Sequence, residues 1–471
     1  MTEASAATAI YQDRAFLGHP KGLGFLSFTE MWERFSYYGM QTLLVLYMVH
    51  QLLLPGHVEN VLGFAFFRGL LEHNGQHLSN QAIASAIFGL YSGLVYLTPI
   101  LGGLLADRVL GRTPTILLGG VLMALGHFLM AFDTTFLIAL ICLMLGAGCF
   151  KGNLATQVGS LYREGDNRRA TAFQIYYLGI NAGVIVSPLV TGTLAEKVAW
   201  HWGFGAAGVG MVVALIIFVS GRRYLPPDPP LRSKIKSERP VMTAHEWRKV
   251  ALLVAMLPVL SASIVGNNQI FNGYLIWAER GADLTLFGKP ILTEWLISVD
   301  SIVSVITLAL MVLFWRLWSK RFTEPDELGK MVIGCAFAAL GVACLAFGTI
   351  LTDPGQKVSL GWLLLFHLLN DIGFANVLPV GLALYARAAP RAIAATILGV
   401  YYLHLFAGNL FVGWLGGLLE KMPAAQFWLI HAALVGGAGV VLLGVRQVFG
   451  GLLAGDPAEP DFVAADAVKA P

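Results

Sequence analysis

Glu30, Glu33 and Arg34 stand within the stretch EMWERFSYYG, and the chain then runs on as MQTLLVLYMVHQLLL. Two carboxylates beside a guanidinium can pair, or hold or release a proton. On a helix, positions 30, 33, 34, 37 and 38 share one face, which here carries Glu30, Glu33, Arg34, Tyr37 and Tyr38 against Met, Leu and Phe opposite. A charged residue at the centre of a bilayer-spanning helix costs about 2.5–3.5 kcal/mol on insertion scales. The stripe therefore reads as the lining of a water-filled cavity. The plainer reading is a helix end anchored at the interface, with tyrosines in an aromatic belt.

Lys151, in CLMLGAGCFKGNLATQVGSLY, lies far from either end of its own apolar run. A buried lysine needs a carboxylate or must shed its proton, so Lys151 is expected to pair with Glu30 or Glu33 in one conformational state. The GAG ahead of it follows no strand, so it reads as helix packing and not as a dinucleotide fingerprint. Asp300 is centred in the apolar run LISVDSIVS, and Asp371 in LLNDIGF is either functional or solvated near a membrane surface. His367 and His404, alone in their runs, read as packing residues.

These residues need long apolar elements to carry them. Of the 471 residues, 56% are hydrophobic and 13% charged, and mean hydropathy is +0.69. A soluble domain carries about 25% charged residues, so this is a polytopic all-α membrane protein. Runs long enough to cross a bilayer, about 20 residues each, fall at 25–53, 80–105, 113–132, 135–161, 170–195 and 203–221. Six more follow at 249–277, 291–318, 330–351, 360–386, 392–418 and 425–449. The expected organisation is an amino-terminal six-helix bundle over 1–221, a cytoplasmic linker over 222–248 rich in proline and charge, and a carboxy-terminal six-helix bundle over 249–450. A disordered cytoplasmic tail is expected over 451–471. With the amino terminus inside, 23 of the 31 Lys and Arg lie on the cytoplasmic side, six lie outside, and Arg34 and Lys151 lie within spans. This bias supports an even number of spans and cytoplasmic termini.

A net charge of +3 argues against an electrostatic nucleic-acid partner. The four cysteines show neither disulfide nor zinc spacing. There is no Walker A loop, HExxH or GxSxG, so an enzyme is not expected and no cofactor or metal is implied. The amino terminus lacks the pattern of a cleaved signal peptide.

The loop GGLLADRVLGRTPT resembles the major facilitator signature, with Gly103, Asp107, Arg108, Gly111 and Arg112 in place to latch the cytoplasmic side. The segment Glu30 to Gly39 resembles in full the ExxERFxYYG motif of the proton-dependent oligopeptide transporters. YYLGINAG at 176–183, FKGN around Lys151 and PVGL at 379–382 are similar to further motifs of that family. The resemblance implies a major facilitator fold of two six-helix bundles, monomeric in the inner (plasma) membrane, that imports di- and tripeptides with protons. It implies that Glu30, Glu33, Arg34 and Lys151 couple protons to substrate, and that Arg34 and Lys151 face the peptide carboxylate. It also implies that Tyr37, Tyr38, Tyr96 and Asn181 line the peptide pocket. The alternative on the same scaffold is another small anion or zwitterion such as nitrate.

The chain departs from the family's pattern in places. Phe374 stands where span ten usually has the glutamate that meets the peptide amine, Asp300 where span eight has asparagine, and Asn268 where span seven has an acid. Gly89 takes the place of a histidine that some members carry, and Tyr401-Tyr402 that of a tryptophan region. The linker is too short for the two extra helices of many bacterial members. Asp300, or Asp371 one turn from Phe374, is then expected to meet the amine, with Asp300 also sensitive to protons.

Overall fold

The computed structural model describes residues 10–72, 77–163, 166–228 and 242–453. The first six long helices are α1 (Lys21–Tyr47), α2 (Asn80–Leu105), α3 (Arg112–Leu129), α4 (Phe136–Ser160), α5 (Arg168–Lys197) and α6 (Trp200–Gly221). The seventh is broken into α7a (Ala244–Ser263) and α7b (Gly273–Gly281). Then come α8 (Trp295–Trp318), α9 (Glu327–Leu351) and α10 (Leu360–Ala388), α11 in two pieces, α11a (Ala394–Tyr401) and α11b (Leu403–Gly416), and α12 (Ala424–Leu453). Among the described residues, ten helical stretches are long and apolar enough to cross a membrane, and the bent seventh is an eleventh. α1 has the length but carries Lys21, Glu30, Glu33 and Arg34, and it completes the twelve read from the sequence. The expected disordered tail over 451–471, beyond Leu453, and residues 229–241 of the linker lie outside the described residues.

Two boundaries differ for physical reasons. α7a begins at Ala244 and not 249, because Thr243 and Glu246 form a reciprocal cap: Thr243 Oγ1 accepts from the Glu246 amide at 3.2 Å and Glu246 Oε2 from the Thr243 amide at 2.7 Å. The single run expected over 249–277 instead bends by 43° after Ser263. A second break follows at Asn272, ahead of α7b, where Gln269 Nε2 and Asn272 Nδ2 both donate to the Val412 carbonyl at 3.3 Å, and Gln269 Oε1 accepts from the Gly273 amide at 3.1 Å. Side chains thus replace ladder bonds, a recognised cause of kinks. A short helix at Phe64–Leu71, between α1 and α2, was not anticipated.

The packing is close where glycines meet. A Cβ on Gly148 of α4 would lie 2.5 Å from Thr98 of α2, and one on Gly146 would lie 2.7 Å from the Gly119 carbonyl of α3. The GAG before Lys151 is therefore a packing surface, as expected.

The two groups of six meet mainly toward one end, distal to the linker and to the start of α1. Among the described residues, every hydrogen bond and ion pair between the groups lies in that distal part. His50 meets Glu279 at 2.7 Å, Arg280 donates to Gln81 Oε1 at 2.9 Å and Gln81 to the Gly416 carbonyl at 3.4 Å. Trp295 donates to Thr193 at 3.1 Å and Ser298 to the Ile185 carbonyl at 2.7 Å. α2 and α11b touch backbone to backbone, since a Cβ on Gly89 would lie 2.5 Å from the Asn409 carbonyl oxygen and 2.7 Å from Gly413 Cα. Toward the other, proximal end, Tyr96 of α2 and Tyr402 of α11 keep 37% and 41% of their exposure. The halves close distally and part proximally.

Candidate functional site

α1 has its polar stripe because one turn of spacing stacks Glu30 on Arg34 and sets Glu33 alongside. Arg34 Nε lies 3.0 Å from Glu30 Oε1 and 2.5 Å from Glu33 Oε2. All three side chains are buried, Glu33 completely. The pairing is one of charge and not of aligned hydrogen bonds: Nε, both oxygens of Glu33 and Oε2 of Glu30 lack a well-directed partner. Buried polar atoms left in that condition are costly, so the cluster is poised to accept protons or another ligand.

The neighbouring elements complete it. Lys151 of α4 places its ammonium 3.7 Å from the centre of the Tyr37 ring, and the Arg34 guanidinium lies 5.7 Å from the same ring. In this conformation Arg34 takes both glutamates, and Lys151 rests on an aromatic face. Tyr37 packs edge-on to Tyr38 at 5.2 Å, and Tyr38 reaches across to Phe271 at the break of the seventh helix, 5.8 Å away. Tyr176 of α5 is buried beside Glu30. Asn181, one turn on, donates to the Tyr177 carbonyl at 2.8 Å, which leaves its Oδ1 unengaged. Tyr96 is part-exposed on the α2 side of the gap.

The carboxy-terminal half brings a second group together. Asp300 Oδ1 of α8 meets His367 Nδ1 of α10 at 2.7 Å, and His367 Nε2 meets the Tyr274 hydroxyl of α7b at 2.8 Å. His367 and Tyr274 are fully buried, whereas the Asp300 side chain keeps 13% of its exposure. His367 is thus no mere packing residue. Reading it as one overlooked that Asp300 needs a partner in a half whose spans supply no lysine or arginine near it. Asp371 is buried, not solvated, and its Oδ2 has no partner. The neighbouring Asn370 is fully buried with both amide atoms unpaired. Phe374 lines a small void together with Asn267 and Asn370. The His404 ring bonds to its own helix, at the Tyr401 carbonyl, and its backbone carbonyl accepts from Ser261 of α7a at 3.1 Å.

The loop after α2 continues as a turn of wider helix over Ala106–Leu110. It holds Asp107 and Arg108, while Gly103 lies upstream within α2. Gly111 follows with φ of 84°, the left-handed region glycine tolerates, and Arg112 opens α3. No ion pair of Asp107 is found among the described residues. Asp228 caps α3 instead, accepting from the Thr113 amide at 2.8 Å and from its hydroxyl at 3.0 Å. The linker's first residues therefore bind the amino-terminal half. No cluster of metal-ligating side chains occurs among the described residues.

Comparison with known proteins places this arrangement among relatives. Residues 113–267 and 248–430 match the family model PTR2, described as the POT family. The chain is 30% identical to the uncharacterized transporter YclF of Bacillus subtilis, across 88% of this chain and 91% of that protein. It is 29% identical to the peptide transporter YePEPT of Yersinia enterocolitica, across 91% and 94%. It is also 27% identical to a di-/tripeptide transporter of Lactococcus lactis, across 92% and 97%. A solved variant of a peptide transporter POT in complex with alafosfalin superimposes with a TM-score of 0.84 at 26% identity, covering 97% of this chain and all of that one. A peptide transporter POT in complex with sulfate gives 0.82 at 27%, covering 96% and 99%.

Proposed function

The chain belongs to the POT family and has the major facilitator fold, and from that premise we propose that it imports di- and tripeptides with protons by alternating access. The membrane is the inner (plasma) membrane, with both termini and the proximal opening on the cytoplasmic side. The single observation that carries the reading is the buried set of Glu30, Glu33, Arg34 and Lys151 beneath Tyr37 and Tyr38, at the side of a gap between the two halves. Peptide transporters among its relatives support the substrate class.

The chemistry follows from charge. Glu30 and Glu33 balance Arg34 and Lys151, so the empty cluster is neutral. A peptide carboxylate adds one negative charge, and a proton taken by a glutamate cancels it. Binding and protonation then favour one another, which is the coupling a symporter needs. Arg34 loses carboxylate partners as they protonate and turns to the peptide, joined by Lys151. Tyr37, Tyr38, Tyr96 and Asn181 offer hydrogen bonds and apolar faces to varied side chains. Asp300, with Oδ2 unengaged, receives the amine, and Asp371 stands behind it. The loop with Gly103, Asp107, Arg108, Gly111 and Arg112 closes the proximal end in the opposite state. The protein works as a monomer of two six-helix bundles, 1–221 and 249–450, joined by the linker.

Exchange tests the substrate class. Liposomes loaded with unlabelled dialanine should take up labelled dialanine through the purified protein, and trialanine should compete. Nitrate should not. Competition by nitrate with none by trialanine would make the protein an anion carrier.

A further inference from the structure

The short helix at Phe64–Leu71, FAFFRGLL, is apolar all round apart from Arg68. A helix of that composition belongs in apolar surroundings on every side. Within the chain only one side has them. Phe64 is buried, and Phe67 and Leu71 pack against the hydrophobic core. Arg68 lies 2.9 Å from Glu72, which also accepts from the Leu78 amide at 3.0 Å, so the helix's one cation is neutralised by its own segment. The other side is uncovered. Ala65, Phe66, Gly69 and Leu70 share it by their spacing, and all are exposed, as is Leu62 just ahead. Phe66 keeps 75% of its exposure, Leu70 58% and Leu62 56%.

The place where the helix hangs says what covers this face. Its approach is pinned to the α3–α4 turn at two points: His57 Nδ1 meets Asp133 Oδ2 at 2.5 Å, and the Leu62 amide donates to the Thr134 carbonyl at 3.0 Å. Two bilayer-facing surfaces end at that turn. On α3, Leu118, Val121, Leu125 and Phe128 form an exposed apolar stripe that runs out at the exposed Phe132. On α4, Ile138, Ile141 and Leu145 form another. Both helices are long and apolar enough to cross a membrane. The short helix therefore starts at the rim of the lipid-facing surface. We infer that it is an interfacial anchor, which lays Leu62, Phe66 and Leu70 into the leaflet at the distal end of the molecule, with the upper acyl chains of the lipids as its partner. Interfacial helices commonly add lysines and arginines that draw anionic headgroups. Here Arg68 is paired with Glu72, so headgroup charge contributes nothing. Two other occupants fit less well. Among the described residues, the hydrogen bonds that join the halves use His50, Gln81, Ile185 and Thr193 of the amino-terminal group and no residue of this helix. Nothing in them draws the face over the gap. Three large side chains are also too few for a second copy of the chain, since a stable interface takes roughly 20–30 residues a side. Asn80, at the head of α2, donates to the Leu53 carbonyl just past α1 at 2.7 Å. The loop that carries the anchor is thus closed at its base, and the anchor sets the depth of the distal ends of α1 and α2.

A depth measurement tests this. Phe66→Cys and Leu70→Cys, each made with Cys142→Ser and Cys344→Ser, carry a nitroxide label in phosphatidylcholine vesicles; Cys149 and Cys335 are buried and stay. Leu125→Cys, on the lipid face of α3, and Phe287→Cys, at a position 97% exposed in a distal loop, are the references. Oxygen concentrates in the acyl layer and a nickel chelate stays in water, so the ratio of their collisions with the label gives its depth. Labels at 66 and 70 should favour oxygen, as at 125, and lie about 5–10 Å into the boundary between headgroups and acyl chains. The label at 287 should favour nickel. The contrast should persist unchanged when part of the phosphatidylcholine is replaced by phosphatidylglycerol. The two positions are labelled separately, so that disturbance of the fold by one label leaves the other to decide. Labels at 66 and 70 that meet nickel as freely as 287 would put the face in water and overturn the inference. Labels shielded from both reagents would put protein over it, from the other half or a second copy, and overturn it equally. A contrast seen only with phosphatidylglycerol would make headgroup charge the partner, which the paired Arg68 rules out on this account.

Discussion

Lys151 is the residue on which the amino-terminal charge balance turns. It faces Tyr37 at 3.7 Å while Arg34 occupies Glu30 and Glu33, so its charge is free to meet a peptide carboxylate. Removing one partner from a buried charge set costs about 3–5 kcal/mol. Lys151→Ala should therefore lower gradient-driven uptake by about 100-fold or more, read as initial rates in liposomes, and uptake at the wild-type rate would remove the role given to it. Asp300→Asn should raise the apparent KM for dialanine and flatten the pH dependence of uptake, with much less effect on a dipeptide whose amine is blocked. Equal losses for both substrates would shift the amine site to Asp371. The sequence shows the first cluster plainly, because residues 30, 33 and 34 are neighbours on one helix face and their types are improbable in a bilayer. The second is hidden, because Asp300 and His367 are 67 residues apart on different helices. Only folding brings them to 2.7 Å, and a histidine alone in an apolar run carries no mark of its partner.

At the level of elements, twelve long helices are legible because twenty apolar residues in a row have few other fates. Their breaks are not. Pro258 and the polar GNNQ after α7a permit an interruption, but nothing in the sequence shows that at the second break, ahead of α7b, Gln269 and Asn272 donate to the Val412 carbonyl on α11b. Close contacts between elements are equally silent in sequence. Gly89 is one glycine among 53, and its importance appears only when α11b is seen to lie against it. Gly89→Leu would drive a side chain into the Asn409 carbonyl and Gly413, and overpacking of this kind costs about 1–3 kcal/mol. The detergent-solubilised protein should melt several degrees lower. Gly437→Leu, on α12 where a Cβ meets nothing within 4 Å, should leave the transition unchanged or raise it. Equal effects of the two changes would mean that the α2–α11 contact contributes nothing special.

For the whole molecule, the distal contacts make closure depend on pH. Beyond the end of α1, the hydrogen bond that His50 donates to the Glu279 carboxylate holds His50 above its ordinary value of 6.5. At the start of α8, burial pushes Glu294 from 4.5 up to about 7, with Glu196 and Glu279 adding their charge. Both groups bind protons more tightly when the distal end is closed. The His50 contribution is complete below 6.5 and fades as pH climbs through its raised value. The Glu294 penalty is absent below 4.5 and grows until about 7. Acid therefore favours distal closure, and the window runs from the glutamate range to just past neutrality. Spin labels on Asn60 and Phe287, exposed in distal loops, should show a longer-distance population growing from pH 5 to pH 8, and His50→Gln with Glu294→Gln should flatten that trend. A distance distribution that ignores pH in the wild type would separate closure from these two groups. The central claim, that peptide moves uphill because protons move downhill, is tested most directly by accumulation. Liposomes containing the purified protein should concentrate labelled dialanine above the external level when the side of peptide entry is made acidic, and lose it when a protonophore is added. Dialanine that only equilibrates, with or without the pH gradient, would contradict the account.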